Sequence, residues 1–396
     1  MEALPPGTGG GEITSPGGEP EQGGQPPRGP ETPLPAAPEI TPPAYMSPAE
    51  INLSSEPGNA PPSPLPRDHA RAIRASIIER GRQQNELTTG ETRRAFLHRV
   101  GHLHNERGVN VRRTEDFIGA LGLRSDAGVL IVDAENYDQV IAAAERVGEP
   151  IIAPGRGVYK SALGMILINR GSMTGDEIAT TLVHEKGGHG DQPWVTPDGI
   201  TYVKEFERRH QLPPVPVIGL CGIDPETGAV TGRFLDEGRA EWIALEYMRA
   251  IGAHDPANMQ SIDGVKYGSN RGLYVPAATA FDLLFARDES LIEPTLNLGH
   301  DFGAVEETMA RIDRIRPGLY DDLATIPYAG GESQLTADIR AFNRGLQIVM
   351  EATGFTDADT RPIVNHGPGA QYVAAQLQRQ AVAESRQSNW YPHGRP

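Results

Sequence analysis

Residues 1–66 leave the rest of the chain to do all the folding. Segments such as PPGTGGGE, GGEPEQGGQPPRGPETP and APPSPLP are built mainly from Pro, Gly, Glu, Ser and Thr. Such a tract holds too little apolar surface to offset the entropy of ordering its backbone, so a disordered tail is expected. Its functional reading is a segment for delivery or tethering to a larger machine. Any core must come from the remainder of the 396 residues, enough for one large domain or two ordinary ones.

The charge and cysteine count remove several classes. A formal net charge of -16 repels phosphate, which argues against a nucleic-acid partner. Cys221 is the only cysteine, so intrachain disulfides and cysteine-rich metal clusters are excluded. A zinc site would have to use histidine and carboxylate ligands. No apolar run is long enough to span a bilayer. The start, MEALPPGTGGGE, has no basic stretch followed by an apolar one. The default expectation is a cytoplasmic protein, with export by a route that ignores such signals left open. The oligomeric state is not set by the sequence.

Order is expected from Arg67. RDHARAIRASIIERGRQQNE places Ile73, Ile77 and Ile78 on one side of a helix, and ETRRAFLHRVGHLHNERG reads as a second helix. His98 and His102 sit one turn apart in it, but no acid or cysteine completes a metal set and Arg94 and Arg99 oppose a cation, so they read as ordinary histidines. GVLIVDA reads as a buried strand, NYDQVIAAAERVG as a helix ending at Gly148, and EPIIAPGR and SALGMILINRG as strands. From residue 201 the pattern is mainly helical, with PAATAFDLLFARD, VEETMARIDRI and SQLTADIRAFNRGLQIVMEATG the clearest helices and Pro276 suited to a first helical position. Residues 356–396 turn polar and read as a loose tail. The class is α+β, a small sheet followed by a mainly helical half, with the domain spanning 67–355.

TGDEIATTLVHEKGGHG carries the chemistry. Thr174 and Glu177 form a capping box, and Ile178, Ala179, Leu182 and Val183 give the helix an apolar face. A strand followed by a helix bearing His-Glu is the usual local setting of zinc peptidases, whose motif is H-E-x-x-H. Here the second histidine, His189, comes five residues after His184. Five residues of regular helix turn about 500°, leaving the two side chains about 140° apart, too far for one ion. One π-type bulge absorbs the extra residue and restores alignment. Gly187 and Gly188 lie where that distortion falls, and each costs about 1 kcal/mol in a regular helix. The other reading is that the helix stops at Lys186 and His189 belongs to a loop.

RFLDEGRAEWIALEYMRAIG reads as a helix with Ala240, Ile243, Ala244, Tyr247, Met248 and Ile251 in one stripe. Extended backwards, the stripe reaches Glu237, with Glu241 one turn on. A carboxylate on a buried face is expensive unless paired or coordinated. One of the two can ligate a metal while the other accepts a ring N–H from a ligating histidine. Alternatively both are solvated first-turn acids favoured by the helix dipole, with Arg239 pairing a neighbour.

Together the two motifs resemble dipeptidyl-peptidase III and its relatives, which carry HExxGH and, some fifty to sixty residues later, a motif close to EExRAE. HEKGGH fits the first, and DEGRAE fits the second except for Asp236 in place of the first Glu. The resemblance covers the neighbourhood of the metal alone. It implies a zincin-like metallopeptidase domain binding one Zn²⁺ per chain through His184, His189 and Glu237, with Glu185 as catalytic base. It also implies Glu241 and Asp236 as supporting carboxylates, Asp236 with a shorter reach than glutamate.

That ligand set leaves a zinc position open for water, which points to hydrolysis of a peptide or protein substrate. An oxyanion donor is needed as well; Tyr267, Tyr274, His254 and His300 are of suitable type, but each reads first as an ordinary structural residue. The alternatives are an effector protease acting on one protein, a hydrolase of a non-peptide amide, and a zinc-stabilised binding module without catalysis.

Overall fold

The computed structural model describes residues 90–123, 126–149, 151, 156–191, 219–223, 230–252, 273–299, 302–326 and 334–390. The tail at 1–66, the helix expected at 67–86, and His254, Tyr267 and His300 lie outside these residues, as do the last six.

The sheet is built first. Strand β1 (Gly128–Val132) runs parallel to β3 (Met165–Asn169), and β2 (Gly157–Lys160) pairs antiparallel with β3, giving the order β1-β3-β2. Leu130 lies opposite Leu167, and Ile131 opposite Ile168. Alternate residues therefore face opposite sides, and both sides are covered. Leu130, Val132, Met165 and Leu167 pack with Phe96 and Val100 of α1 (90–100) and with Tyr137, Val140 and Ala144 of α3 (Tyr137–Arg146). Ile131, Ile166 and Ile168 pack with Ile178 and Leu182 of α4 (Gly175–Val183). Burial on two faces explains why GVLIV and MILIN are continuous apolar runs rather than alternating ones. The strand expected in EPIIAPGR differs: Ile151 is buried without joining the sheet, and pairing begins at Gly157.

After a two-stranded hairpin, β4 (Gly222–Ile223) and β5 (Val230–Thr231), the chain is helical among the described residues. Helix α5 (Arg233–Ala250) lies between α4 and α6 (Val275–Arg287). The single stripe expected on α5 is exceeded, because Phe234, Leu235, Trp242 and Glu246 are buried as well. Pro276 is the second residue of α6, where its missing N–H is no loss. Helices α7 (Ile292–Leu296), α8 (Phe302–Ile315), α9 (Leu319–Ala324) and α10 (Gln334–Thr353) complete the larger core around Phe281, Leu284, Phe285 and Phe342.

The loose C-terminal tail expected at 356–396 is corrected. Residues Asp357–His366 and Pro368–Trp390 form α11 and α12. A capping box between Thr356 and Asp359 starts α11. Val364 and Val373 are buried, and Gly369 lets α12 approach Trp242, Asp282 and Phe285 closely. The domain therefore continues past 355. Its last helices escape a hydrophobic reading because few apolar residues, placed far apart, anchor them among Ala, Gln and Arg. No helix among the described residues is long and apolar enough to cross a membrane.

The second helix, α1, ends at residue 100 in a short 3-10 turn, Gly101–Leu103. His98 and His102 are exposed there, while His104 Nδ1 accepts a hydrogen bond from the backbone of Ile131.

Candidate metal centre

The capping box starts the metal helix as its residues require: Glu177 N donates to the Thr174 hydroxyl, and Thr174 N donates to the Glu177 carboxylate. Helix α4 runs to Val183 and gives way to a π turn spanning His184–His189. Gly190 N donates to Glu185 O at 2.7 Å across it, the wider i→i+5 closure that absorbs one residue.

The reason for the two glycines is steric closeness rather than backbone torsion. Neither has a positive φ. A Cβ on Gly188 would lie 2.3 Å from Ala240 Cβ and 2.6 Å from Ala240 Cα. A Cβ on Gly187 would lie no nearer than 3.3 Å to Leu123 Cδ1. Gly188 is thus the place where the π turn touches the backbone of α5. On its other side α5 also lies close to α6, where a Cβ on Gly238 would fall 3.0 Å from Ala277 Cβ.

Arg239 holds that junction. Its side chain is fully buried, and its guanidinium donates to Gly188 O at 2.6 Å, Gly187 O at 3.3 Å and Thr295 O at 2.8 Å. Asp191, also buried, balances the charge at 2.7 Å. A π turn leaves carbonyls that ordinary helical bonding does not use, and a buried arginine with several donors in a fixed fork suits them. The sequence hinted at this only through the small neighbours Gly238 and Ala240, which let the helices close over Arg239.

With α5 seated, three atoms converge. His184 Nε2 and His189 Nε2 are 3.2 Å apart, and Glu237 Oε2 lies 3.4 Å from the first and 3.5 Å from the second. Ligands about 2.1 Å from a tetrahedral zinc ion lie about 3.4 Å from each other, so the triangle has the right edges. Among the described residues this is the group of three whose donor atoms can share an ion. The donor types also fit: two imidazoles and one carboxylate.

Supporting carboxylates fix both rings. His184 Nδ1 donates to Glu241 Oε2 at 3.0 Å, and His189 Nδ1 lies 3.1 Å from Asp236 Oδ2. A carboxylate accepts only, so each ring carries its proton on Nδ1 and turns Nε2 to the triangle. The shorter Asp236 reaches its histidine after all. Glu237 and Glu241 are not solvated first-turn acids, since both side chains are mostly buried.

The electrostatics favour a cation. Burial alone would lower the His184 pKa, but hydrogen bonds to Glu237 and Glu241 outweigh it and raise the ring to about 9. Burial likewise opposes a charge on His189, and Asp236 and Glu237 overcome it, raising its pKa well above the usual imidazole range. Burial pushes Glu237 up, yet its bonds to the two imidazoles hold it far below the usual carboxylate range. A potential that draws protons onto two rings also draws a metal ion. The buried Cys221 thiol sits against Asp236; burial first, then Asp236 and Glu237, push its pKa up, so it donates to Asp236 as a thiol.

Comparison with protein-family models, curated proteins and solved structures finds no match. The resemblance to dipeptidyl-peptidase III therefore rests on the two motifs.

Glu185 points away from the ligand role. Its Oε2 accepts the backbone N–H of Tyr159 on β2 at 2.9 Å, and the side chain is buried. Burial raises its pKa above the ordinary range, with His189 and His184 opposing. Strand β2 lies directly over it: a Cβ on Gly157 would fall 3.0 Å from Glu185 Oε1 and 3.1 Å from Cγ. Of the downstream donor types, Tyr274 stands beside the triangle, its ring stacked on His184 at 5.7 Å and 27°.

Proposed function

We propose that this chain is a zinc-dependent hydrolase of peptide bonds. The observation that carries the reading is the triangle of His184 Nε2, His189 Nε2 and Glu237 Oε2 with the Glu185 carboxylate beside it. Two imidazoles and a glutamate form the ligand set of zinc peptidases. When bound, the ion would supply Lewis acidity toward the scissile carbonyl and a potent oxygen nucleophile near neutral pH.

The chain's own residues do the rest. Glu185 takes the proton of the attacking water and passes it to the departing nitrogen. Its burial makes it a stronger base than an exposed carboxylate, and the Tyr159 N–H holds its Oε2 in place. Asp236 and Glu241 keep the two rings in one tautomer and orientation. A purely structural zinc site has no use for a buried carboxylate at position 185.

The test is direct. Purified full-length protein is expected to hold about one zinc per chain by elemental analysis and to cleave members of a diverse fluorogenic peptide library. Zinc at that level with no cleavage of any peptide would favour a metal-stabilised binding module instead. Comparing free and blocked N-termini separates an exopeptidase from an endopeptidase.

Gly157→Ala isolates the base from the metal. The added methyl would lie 2.6 Å from Thr181 Cγ2 and 3.0 Å from Glu185 Oε1, so Thr181 must move and Glu185 must give by a few tenths of an ångström, while no ligand is touched. A misplacement of about 1 Å costs on the order of 10²-fold in rate. The variant, whose Glu185 is displaced by less than that, is expected to keep its zinc and lose kcat by less than about 10²-fold, measured on the best library peptide.

A further inference from the structure

Outside the metal centre a cavity of about 770 Å³ lies among α7, α8 and α12, a size ordinary for a small-molecule site. Buried Pro294 and Ala304 and the half-buried ring of Tyr372 give it apolar walls. Glu289, Glu293 and Glu307 line it as well, with Arg311 the one cation among the described lining residues. Arg311 is taken by Glu307, which lies one turn before it on α8. Glu289, on the 3-10 turn Glu289–Leu291, and Glu293, on α7, are also one turn apart, and neither side chain has a partner among the described residues. Like charges at that spacing repel each other.

The cavity wall reaches the metal centre through one side chain. Thr295, next to Pro294 in α7, is fully buried, and its carbonyl accepts from Arg239 Nε at 2.8 Å. Nη1 of the same guanidinium donates to Gly188 O at 2.6 Å in the π turn. Close-packed interiors transmit strain, so a displacement of α7 pulls on the turn that carries His184 and His189.

We propose that this cavity binds a small linear polyamine and that its occupancy tightens the metal centre through α7 and Arg239. The second half rests on the zinc reading above; the first does not. An ammonium group between Glu289 and Glu293 replaces their repulsion with charge-assisted hydrogen bonds. A second ammonium group meets Glu307, and the methylenes between them lie against Pro294, Ala304 and Tyr372. Charge spread along a chain suits acids on two separate helices. A bare metal ion does not suit them, since among the described residues the triangle is the group whose donor atoms come close enough to share one. With α7 held by its occupant, Thr295 O keeps its place and Arg239 keeps the π turn seated.

The test uses the full chain, with and without zinc, and spermidine as the probe at fixed ionic strength. Calorimetry is expected to give about one spermidine per chain. Glu289→Gln combined with Glu293→Gln is expected to weaken binding about tenfold or more, as losing hydrogen bonds to charged groups does. Glu351→Gln combined with Glu384→Gln removes the same charge from exposed positions on α10 and α12 and is expected to change binding less than about twofold. Equal loss in the two pairs, or full competition by magnesium at matched ionic strength, would reduce the binding to general attraction by an acidic protein and overturn the site. Chelator competition reads the coupling: saturating spermidine is expected to tighten zinc about fivefold or more, and zinc to tighten spermidine by the same factor. Unchanged zinc affinity beside intact spermidine binding would overturn the coupling alone. Spermidine bound at Glu289 and Glu293 in a chain that takes up no zinc would leave the site standing, with the metal reading and the coupling fallen.

Discussion

Glu185→Gln is expected to retain about one zinc per chain and to lower kcat by ~10²–10⁴-fold, the range for losing a general acid–base group. The substitution is nearly isosteric. A glutamine oxygen can still accept the Tyr159 N–H, so the link to β2 survives. His184, His189 and Glu237 keep their supporting carboxylates, since none of those contacts involves residue 185. What disappears is a site able to hold a proton between attack and departure. KM should move little. Elemental analysis and steady-state kinetics on one peptide decide the matter, and turnover within tenfold of wild type would remove Glu185 from the chemistry. A fall in zinc content alongside activity would mean that the side chain supports the ion instead.

The second large effect is expected at a residue that touches no ligand. Gly188→Ala puts a methyl 2.3 Å from Ala240 Cβ and 2.6 Å from Ala240 Cα. Backbone cannot swing aside as a side-chain tip can, so the π turn must lift from α5. Such overpacking costs about 1–3 kcal/mol of stability. Lifting the turn also stretches the 2.6 Å bond from Arg239 to Gly188 O and draws His189 away from Glu237. Disturbing a supporting contact typically costs ~10–100-fold in metal affinity, and here a ligand itself moves, so the upper end is expected. Gly187→Ala is the control, because its methyl meets only side-chain ends, Leu123 Cδ1 at 3.3 Å, Ile243 Cγ2 at 3.4 Å and Ile118 Cγ1 at 3.5 Å. Zinc dissociation constants by chelator competition, with thermal unfolding in parallel, separate the two. Equal affinity in both variants would show that the approach at 188 does not govern the centre.

Much of the centre was legible because its rules are local. The capping box at Thr174 fixes where α4 begins, and a five-residue histidine spacing can share an ion only through a π turn. The four-residue spacing of Glu237 and Glu241 puts them on one side of α5. The reason for the glycine doublet was not legible. It lies in the distance to Ala240, which no local pattern encodes. Arg239 escaped for the same cause, since its partners at Gly187, Gly188, Asp191 and Thr295 come from segments remote in sequence. Strands buried on both faces were readable as apolar runs, whereas α12 was not, because Val373 is its one fully enclosed apolar anchor amid polar neighbours. Tyr274 could be named by residue type but singled out only once α6 was placed beside His184.

The three residues that could hold an ion come from two places: the π turn that ends the sheet-bearing part of the chain, and the first turns of the helix that opens the helical part that follows. An ion seated there would rivet one to the other. At a free concentration a hundred times its dissociation constant it would add about 2.7 kcal/mol against their separation. Such an ion would act as a fastener, and its scarcity would loosen the body of the protein.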